Sequence, residues 1–218
     1  LMTYLEDVPV DDDVAAGPFR MPVQWVNRPN LDFRGFSGRI VGGSIKPGDP
    51  IRVLPAGTTS TVDRIVTMDG DLDVAVAGQS VTITLTDEID ASRGDLLVSP
   101  DGEPRRAHEV EAMVVWMGEE PAEPGRQYRL HSTNGASNAT ISAIRHRVDI
   151  NTLDEERASE LNLNDIALCA VTSDRELLFD PYTDNRTTGS FILVDRLSNA
   201  TIGAGMMIAK STAWDQVP

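Results

Sequence analysis

The chain has a single cysteine, Cys169, among 218 residues. That excludes an internal disulfide framework and fits a reducing cytosol. Its setting, Ile166-Ala167-Leu168-Cys169-Ala170-Val171, reads as a buried structural thiol and not a nucleophile. Lysine is nearly absent: Lys46 and Lys210 stand against 17 arginines. A nucleotide-binding phosphate loop needs a lysine to offset phosphate charge and glycines that let backbone N–H groups reach the anion. Lys46 lies between Ile45 and Pro47, and Lys210 follows Ala209, so neither qualifies. No apolar run approaches the roughly 20 residues that span a bilayer. Leu1 to Val10 holds Glu6 and Asp7 and no positive n-region, which argues against a signal peptide and for the cytoplasm. Aromatic residues make up 5% of the chain, and the formal net charge is −15. Such a charge repels nucleic acid and anionic membrane surfaces unless a local basic face overrides it.

Catalytic and metal-binding patterns are equally sparse. Asp69, Asp71 and Asp73 have the spacing of a calcium loop, but Val74 stands where that loop needs glycine and Ser80 where it needs glutamate. They read as a solvated acidic turn. Asp11-Asp12-Asp13 reads as part of a flexible acidic linker. His108, His131 and His146 are scattered over separate expected strands, without the spacing of a zinc site. No Gly-x-Ser-x-Gly elbow supports a serine nucleophile. The sequons at Asn138, Asn185 and Asn199 carry no meaning without a secretory signal. The expectation is therefore no catalytic residue, no cofactor-binding residue and no metal ligand in this chain.

What is present is β pattern. Short runs of branched and aromatic residues recur over 19–26, 38–45, 50–54, 59–67, 80–86 and 95–99. Turn signals at Lys46-Pro47-Gly48-Asp49, Pro55-Ala56-Gly57 and Met68-Asp69-Gly70-Asp71 separate them. Val81-Thr82-Ile83-Thr84-Leu85 alternates as a half-exposed strand should. Asp101-Gly102-Glu103-Pro104 breaks the pattern, and a second series follows near 109–117, 127–132, 137–149, 165–174, 189–195 and 201–208. Strands this short and regular read as small closed barrels. One helix is expected, from a capping box at Thr152-Leu153-Asp154-Glu155 to about Leu161. The fold class is all-β, with barrels over 18–104 and 105–210. Residues 1–17 read as the end of an upstream helix, Leu1 to Val8, plus a linker, and 211–218 as a tail.

One segment stands apart. Asn27, Arg28, Asn30, Asp32, Phe33 and Arg34 crowd into a connection between strands, running from Asn27 to Gly35. Arginine and aromatic side chains are enriched at interface hot spots, and loops often carry function. Two readings stand: a partner interface, or a loop whose Asn and Asp cap its own turns.

Seven stretches, in order along the chain, resemble the large, GTPase subunit of bacterial sulfate adenylyltransferase. They are Pro22 to Gly38, Arg64 to Asp71, Leu85 to Leu97, Val114 to Met117, Val148 to Asn151, Leu163 to Ile166 and Ile192 to Met206. The Asn27-Arg28-Pro29-Asn30 and Asp87-Glu88-Ile89-Asp90-Ala91-Ser92-Arg93-Gly94-Asp95 stretches are the most specific. The resemblance implies two consecutive barrels like domains II and III of the elongation factors, following a GTPase domain. It also implies that GTP and Mg belong to that upstream domain, and that the partners are this domain and the small catalytic subunit. In the family, that subunit joins sulfate to ATP, giving adenylyl sulfate and pyrophosphate. Some members are fused at their C-terminus to an adenylyl-sulfate kinase. The chain itself is expected to bind and couple subunits and to be inactive alone. The rival expectation is a translation-factor-like RNA- or tRNA-binding barrel, for which Arg105-Arg106 and Arg145/Arg147 are the only basic clusters.

Overall fold

In the computed structural model, residues 17–30 and 33–208 are described. The expected helix end and linker near the N-terminus, the tail after 208 and Asp32 lie outside them. The described chain contains no helix. Its contacts separate two units, Leu1–Ser92 with Leu97–Gly102 and Arg93–Leu96 with Glu103–Pro218.

The first unit contains β1 (Arg20–Pro22), β2 (Trp25–Asn30), β3 (Phe33–Arg39), β4 (Ser44–Ile45), β5 (Pro50–Leu54), β6 (Thr58–Thr67), β7 (Gly70–Asp71), β8 (Ala75–Val76) and β9 (Ser80–Leu85), with β10 (Leu96–Val98) completing its sheet. The sheet order is β1-β10-β5-β6-β9-β3-β2, with β7 on β6 and a separate β4–β8 pair. The two ends of that path, β1 and β2, are consecutive pieces of chain. Gln24, between them, donates its backbone N–H to the Ser37 carbonyl at 2.9 Å, so the sheet curls back on itself. This crossing requires Gly38: a Cβ there would collide with the Pro22 carbonyl oxygen. Inward residues alternate as period 2 dictates. In β9, Val81 and Ile83 are buried beside Phe36, Ile51, Val53, Val62 and Ile65. Each such side chain contributes roughly 1.5–3 kcal/mol on burial. The turn before β5 is built by its sequence: Asp49 N–H donates to Lys46 O at 3.1 Å, and Gly48 takes φ +90° after Pro47.

The second unit contains β11 (Arg105–Trp116), β12 (Gln127–Ser132), β13 (Gly135–Val148), β14 (Glu155–Glu156), β15 (Ile166–Phe179), β16 (Ser190–Val194) and β17 (Thr201–Met207). Its order is β12-β16-β17-β11-β15-β13-β14, and β12 also pairs with β13. Six strands therefore close a ring. Trp116 and Tyr128 meet edge to face inside it, centroids 5.6 Å apart, and the indole N–H donates to Glu120 O at 2.8 Å. Cys169 lies in this core, where burial pushes its thiol up to about 12. At pH 7 it is a protonated packing group.

The expected helix over 152–161 is absent. Asp149 takes the Asn151 and Thr152 amides on its carboxylate at 2.7 and 3.2 Å, which holds its pKa low. Thr152 Oγ1 accepts from Asp154 N–H at 3.3 Å, two residues on, so the hydroxyl closes a local turn and caps no helix. Glu155 and Glu156 then pair with Val148 and Arg147 as strand β14, and Leu161 bridges Ala122. A ten-residue helix is marginal by itself, and sheet pairing plus burial of Leu161 outweigh one capping match.

Two outcomes follow. Gly38→Ala should destabilise the chain by about 1–3 kcal/mol or more, because the Pro22 backbone carbonyl, which cannot swing aside as a side chain can, opposes the new methyl. Thermal unfolding checks it; an unchanged Tm would contradict the account of closure. Asp195 accepts from Leu197 and Ser198 amides, the Ser198 hydroxyl and Arg126, and its pKa falls to about 2. A carboxyl depressed from its unfolded value near 3.9 stabilises the fold above that pH and loses the contribution as pH falls towards 2. Asp195→Asn should therefore lower Tm at pH 7, and the gap to the natural chain should narrow between about pH 4 and 2.

Candidate functional site

The segment expected to be a loop between Asn27 and Gly35 is a β-hairpin. Asn27 and Asn30 lie in β2, and Phe33 and Gly35 in β3. The polar residues and Pro29 suggested a loop because proline cannot donate to a ladder. β2 is however the edge of its sheet, where proline is tolerated. The register confirms the reason. Asn27 faces Gly35 and Asn30 faces Phe33, so Arg28 and Pro29 together oppose Arg34 alone. This bulge puts Pro29 where no ladder hydrogen bond is required.

The hairpin divides its side chains sharply. Arg28 and Asn30 are exposed, Asn27 is half-buried, and Trp25 at the base of β2 is 65% exposed. Phe33 and Arg34 are half-buried, and Phe36 is in the core. Arg34 is fixed from two sides. Its guanidinium donates to Asp90 Oδ1 at 2.8 Å and sits 5.8 Å from the Phe36 ring centroid. Asp90 is almost wholly exposed, so this pair adds only about 0–1 kcal/mol, and the cation–π contact a similar amount. The gain is orientation more than stability. Among the described residues, Arg34 Nε is buried without a hydrogen-bond partner.

Beside it lies a depression of about 150 Å³ whose lining includes Phe33, Arg34, Arg64 and the carboxylates Asp63, Asp87 and Glu88. Two of its three carboxylates are engaged within the barrel. Asp63 accepts from Thr84 Oγ1 at 3.2 Å and Asp87 from Ser60 Oγ at 2.7 Å. Arg64 pairs with Asp71, raising the arginine's pKa and lowering the carboxyl's. The acidic turn that mimicked a calcium loop is thus tied to its own strand. The hairpin brings together five of the six expected interface residues, and Asp32 lies outside the described part. Trp25 was missed, since only edge placement reveals that this aromatic stays out of the core.

Lys46 stands in a tight turn, its N–H donating to Asp49 Oδ2 at 3.0 Å, and no described helix offers an N-terminus to phosphate. Among the described residues, no three His, Cys, Asp or Glu side chains group to hold a metal ion. No described helix is long and apolar enough to cross a membrane. The hairpin offers an exposed edge with planar, aromatic and amide groups, which is the chemistry of protein contact.

Comparison with known proteins follows the same division. Residues 36–98 match the family "Elongation factor Tu domain 2", and residues 109–208 match "GTP-eEF1A C-terminal domain-like". Among solved structures, Sup35 complexed with GDP superposes with TM-score 0.81 over 96% of this chain and 51% of that one, at 18% identity, a likeness of fold alone. Sulfate adenylyltransferase subunit 1 of Aeromonas salmonicida (strain A449) is 52% identical over 208 residues, 95% of this chain and 44% of that protein. The same subunit of Tolumonas auensis (strain DSM 9187 / NBRC 110442 / TA 4) is 53% identical over 95% of this chain and 44% of its own length. Bifunctional enzyme NodQ of Rhizobium sp. (strain N33) is 45% identical over 95% of this chain and 32% of its own length. The chain spans less than half the length of these relatives. With half its residues shared along nearly its whole length, and a barrel match on each side of the break, the chain belongs to the sulfate adenylyltransferase subunit 1 family, of which it carries the two elongation-factor-like barrels.

Proposed function

We propose that this chain is the docking and coupling part of the GTP-dependent subunit of sulfate adenylyltransferase. In that reading, the whole subunit lets GTP hydrolysis drive formation of adenylyl sulfate and pyrophosphate from ATP and sulfate, in the cytoplasm. GTP and Mg²⁺ belong to a GTPase domain upstream, and the chemistry on sulfate to a small catalytic subunit. The barrels contribute surfaces whose contacts differ between the GTP and GDP states, since coupling requires differential contacts in two states. The observation that carries this reading is identity of about half the residues over 95% of the chain to sulfate adenylyltransferase subunit 1.

The RNA-binding alternative loses its electrostatic basis. Arg106 pairs with Glu103 at 3.4 Å and Glu176 at 3.8 Å. Arg145 pairs with Glu111 at 3.4 Å, and Arg147 with Glu156 at 2.6 Å and Asp165 at 3.6 Å. Three of the four clustered arginines are thus neutralised by carboxylates of their own barrel. Counterion release from RNA needs basic groups free to meet phosphate.

Mixing the chain with the small catalytic subunit in a calorimeter should give saturable binding, while the chain should not retain RNA at about 0.15 M salt. Salt-sensitive RNA retention without subunit binding would overturn the reading. In the full-length subunit, Arg28→Ala with Arg34→Ala should weaken association or GTP-dependent activation about tenfold, the scale of one hot spot. Unchanged affinity and activation would remove the hairpin from the interface.

A further inference from the structure

The second barrel has a distinctive end. β11 finishes there at Trp116 and β15 begins at Ile166, paired through Val115. β13 arrives there too, Val148 facing Ile166, and β17 starts beside Trp116. β16 ends at Val194, opposite Thr201. The connections at this end are 117–126, 149–165 and 195–200. Among the described residues of this unit six large apolar side chains are exposed, and five of them lie on those three connections: Met117, Ile150, Leu153, Leu163 and Leu197. The sixth, Ile192, lies within strand β16. Single exposed apolar groups need no explanation, but five gathered by topology at one barrel end do.

The connections hold these side chains outwards by strong local bonding. Leu153 is 75% exposed with φ +64°, a backbone region costly for a branched aliphatic residue. The Asp149 turn and a hydrogen bond from Leu153 N–H to Asp149 O at 2.8 Å keep it there. Leu197 is 91% exposed at the tip of the turn that Asp195 ties down with its three short-range hydrogen bonds. Met117 and Leu197 line one open depression with Trp116, Ile202 and Arg126. Leu163 is linked to the same place by Asn164, whose N–H donates to Trp116 O at 2.8 Å. Rigid turns that present leucines to solvent lose little entropy when a partner covers them.

Charge selects the occupant. The three connections carry ten acidic side chains, from Glu119 to Asp195, against the basic Arg126, Arg157 and Arg196. Arg126 is spent on Glu120 and Asp195, and Arg147 of β13 pairs with Glu156 and Asp165, while Glu119, Glu123, Asp154 and Glu160 stand exposed. An apolar cluster with an acidic surround suits a partner surface that pairs apolar projections with basic side chains. We infer that this end of the second barrel is a second docking surface, and that its occupant is a basic, apolar-tipped face of the small catalytic subunit. The inference rests on the docking reading above and adds a surface separate in sequence from the hairpin.

Two pairs of variants in the full-length subunit test it, with binding of the small subunit measured by calorimetry. Leu153→Asn with Leu197→Ser removes the apolar tips, and asparagine tolerates the positive φ. Glu119→Lys with Glu160→Lys reverses two exposed charges. Both pairs should keep the natural Tm and weaken binding about tenfold or more, and the natural protein's affinity should fall as salt rises. Natural affinity in both variant pairs would overturn this inference and leave the docking reading standing. No binding by the natural protein would overturn both.

Discussion

Hydrogen bonds between Gln127–Ser132 and Gly135–Thr140 turn the second sheet from a ribbon into a ring. Once β12 meets β13, every strand of the six has two neighbours, and the unpaired edges that invite aggregation disappear. Closure also fixes the inward set of side chains, because a one-residue slip would turn Tyr128, Leu130, Ala139 and Ile141 out of the core. The first sheet curls back by another route and keeps β2 as an edge. A single bent segment, Arg20 to Asn30, serves both margins of the sheet, and Gly38 gives it room to cross.

The proposed docking role falls to what closure leaves outside. In the first barrel, β2 remains an edge, guarded by Pro29 and a bulge that discourage another strand from adding to it. The edge presents side chains in place of backbone groups: Trp25, Arg28 and Asn30, beside an Arg34 anchored by Phe36 and Asp90. In the second barrel, the strand ends deliver apolar side chains on short, self-bonded turns. Among the described residues, neither place shows a paired acid and base, an activated nucleophile or a phosphate cradle. Both have what protein recognition uses, namely rigid anchors whose conformational cost is met within the fold.

The fold was legible because alternation in the strands is local. Val81 to Leu85 and the Lys46–Asp49 turn announce themselves in five and four residues, and the structure keeps both. The hairpin was legible in composition but not in shape. Asn, Pro and Asp signal turns, and only the edge position of β2 explains why they sit in a strand. The expected helix at Thr152 failed because a capping box is a local match, whereas Leu161 answers to Ala122 nearly forty residues away. The apolar barrel end was invisible for the same reason. Met117, Leu153 and Leu197 are far apart in the chain, and only ring order brings their connections to one end.

The central claim is that these barrels recognise a protein partner through exposed side chains on their surface. Hydrogen–deuterium exchange on the full-length subunit, alone and with the small catalytic subunit, tests it most directly. The account predicts new protection in the β2–β3 hairpin and in the connections 149–165 and 195–200, with the ladders of both barrels unchanged. Binding without protection in either place would contradict it.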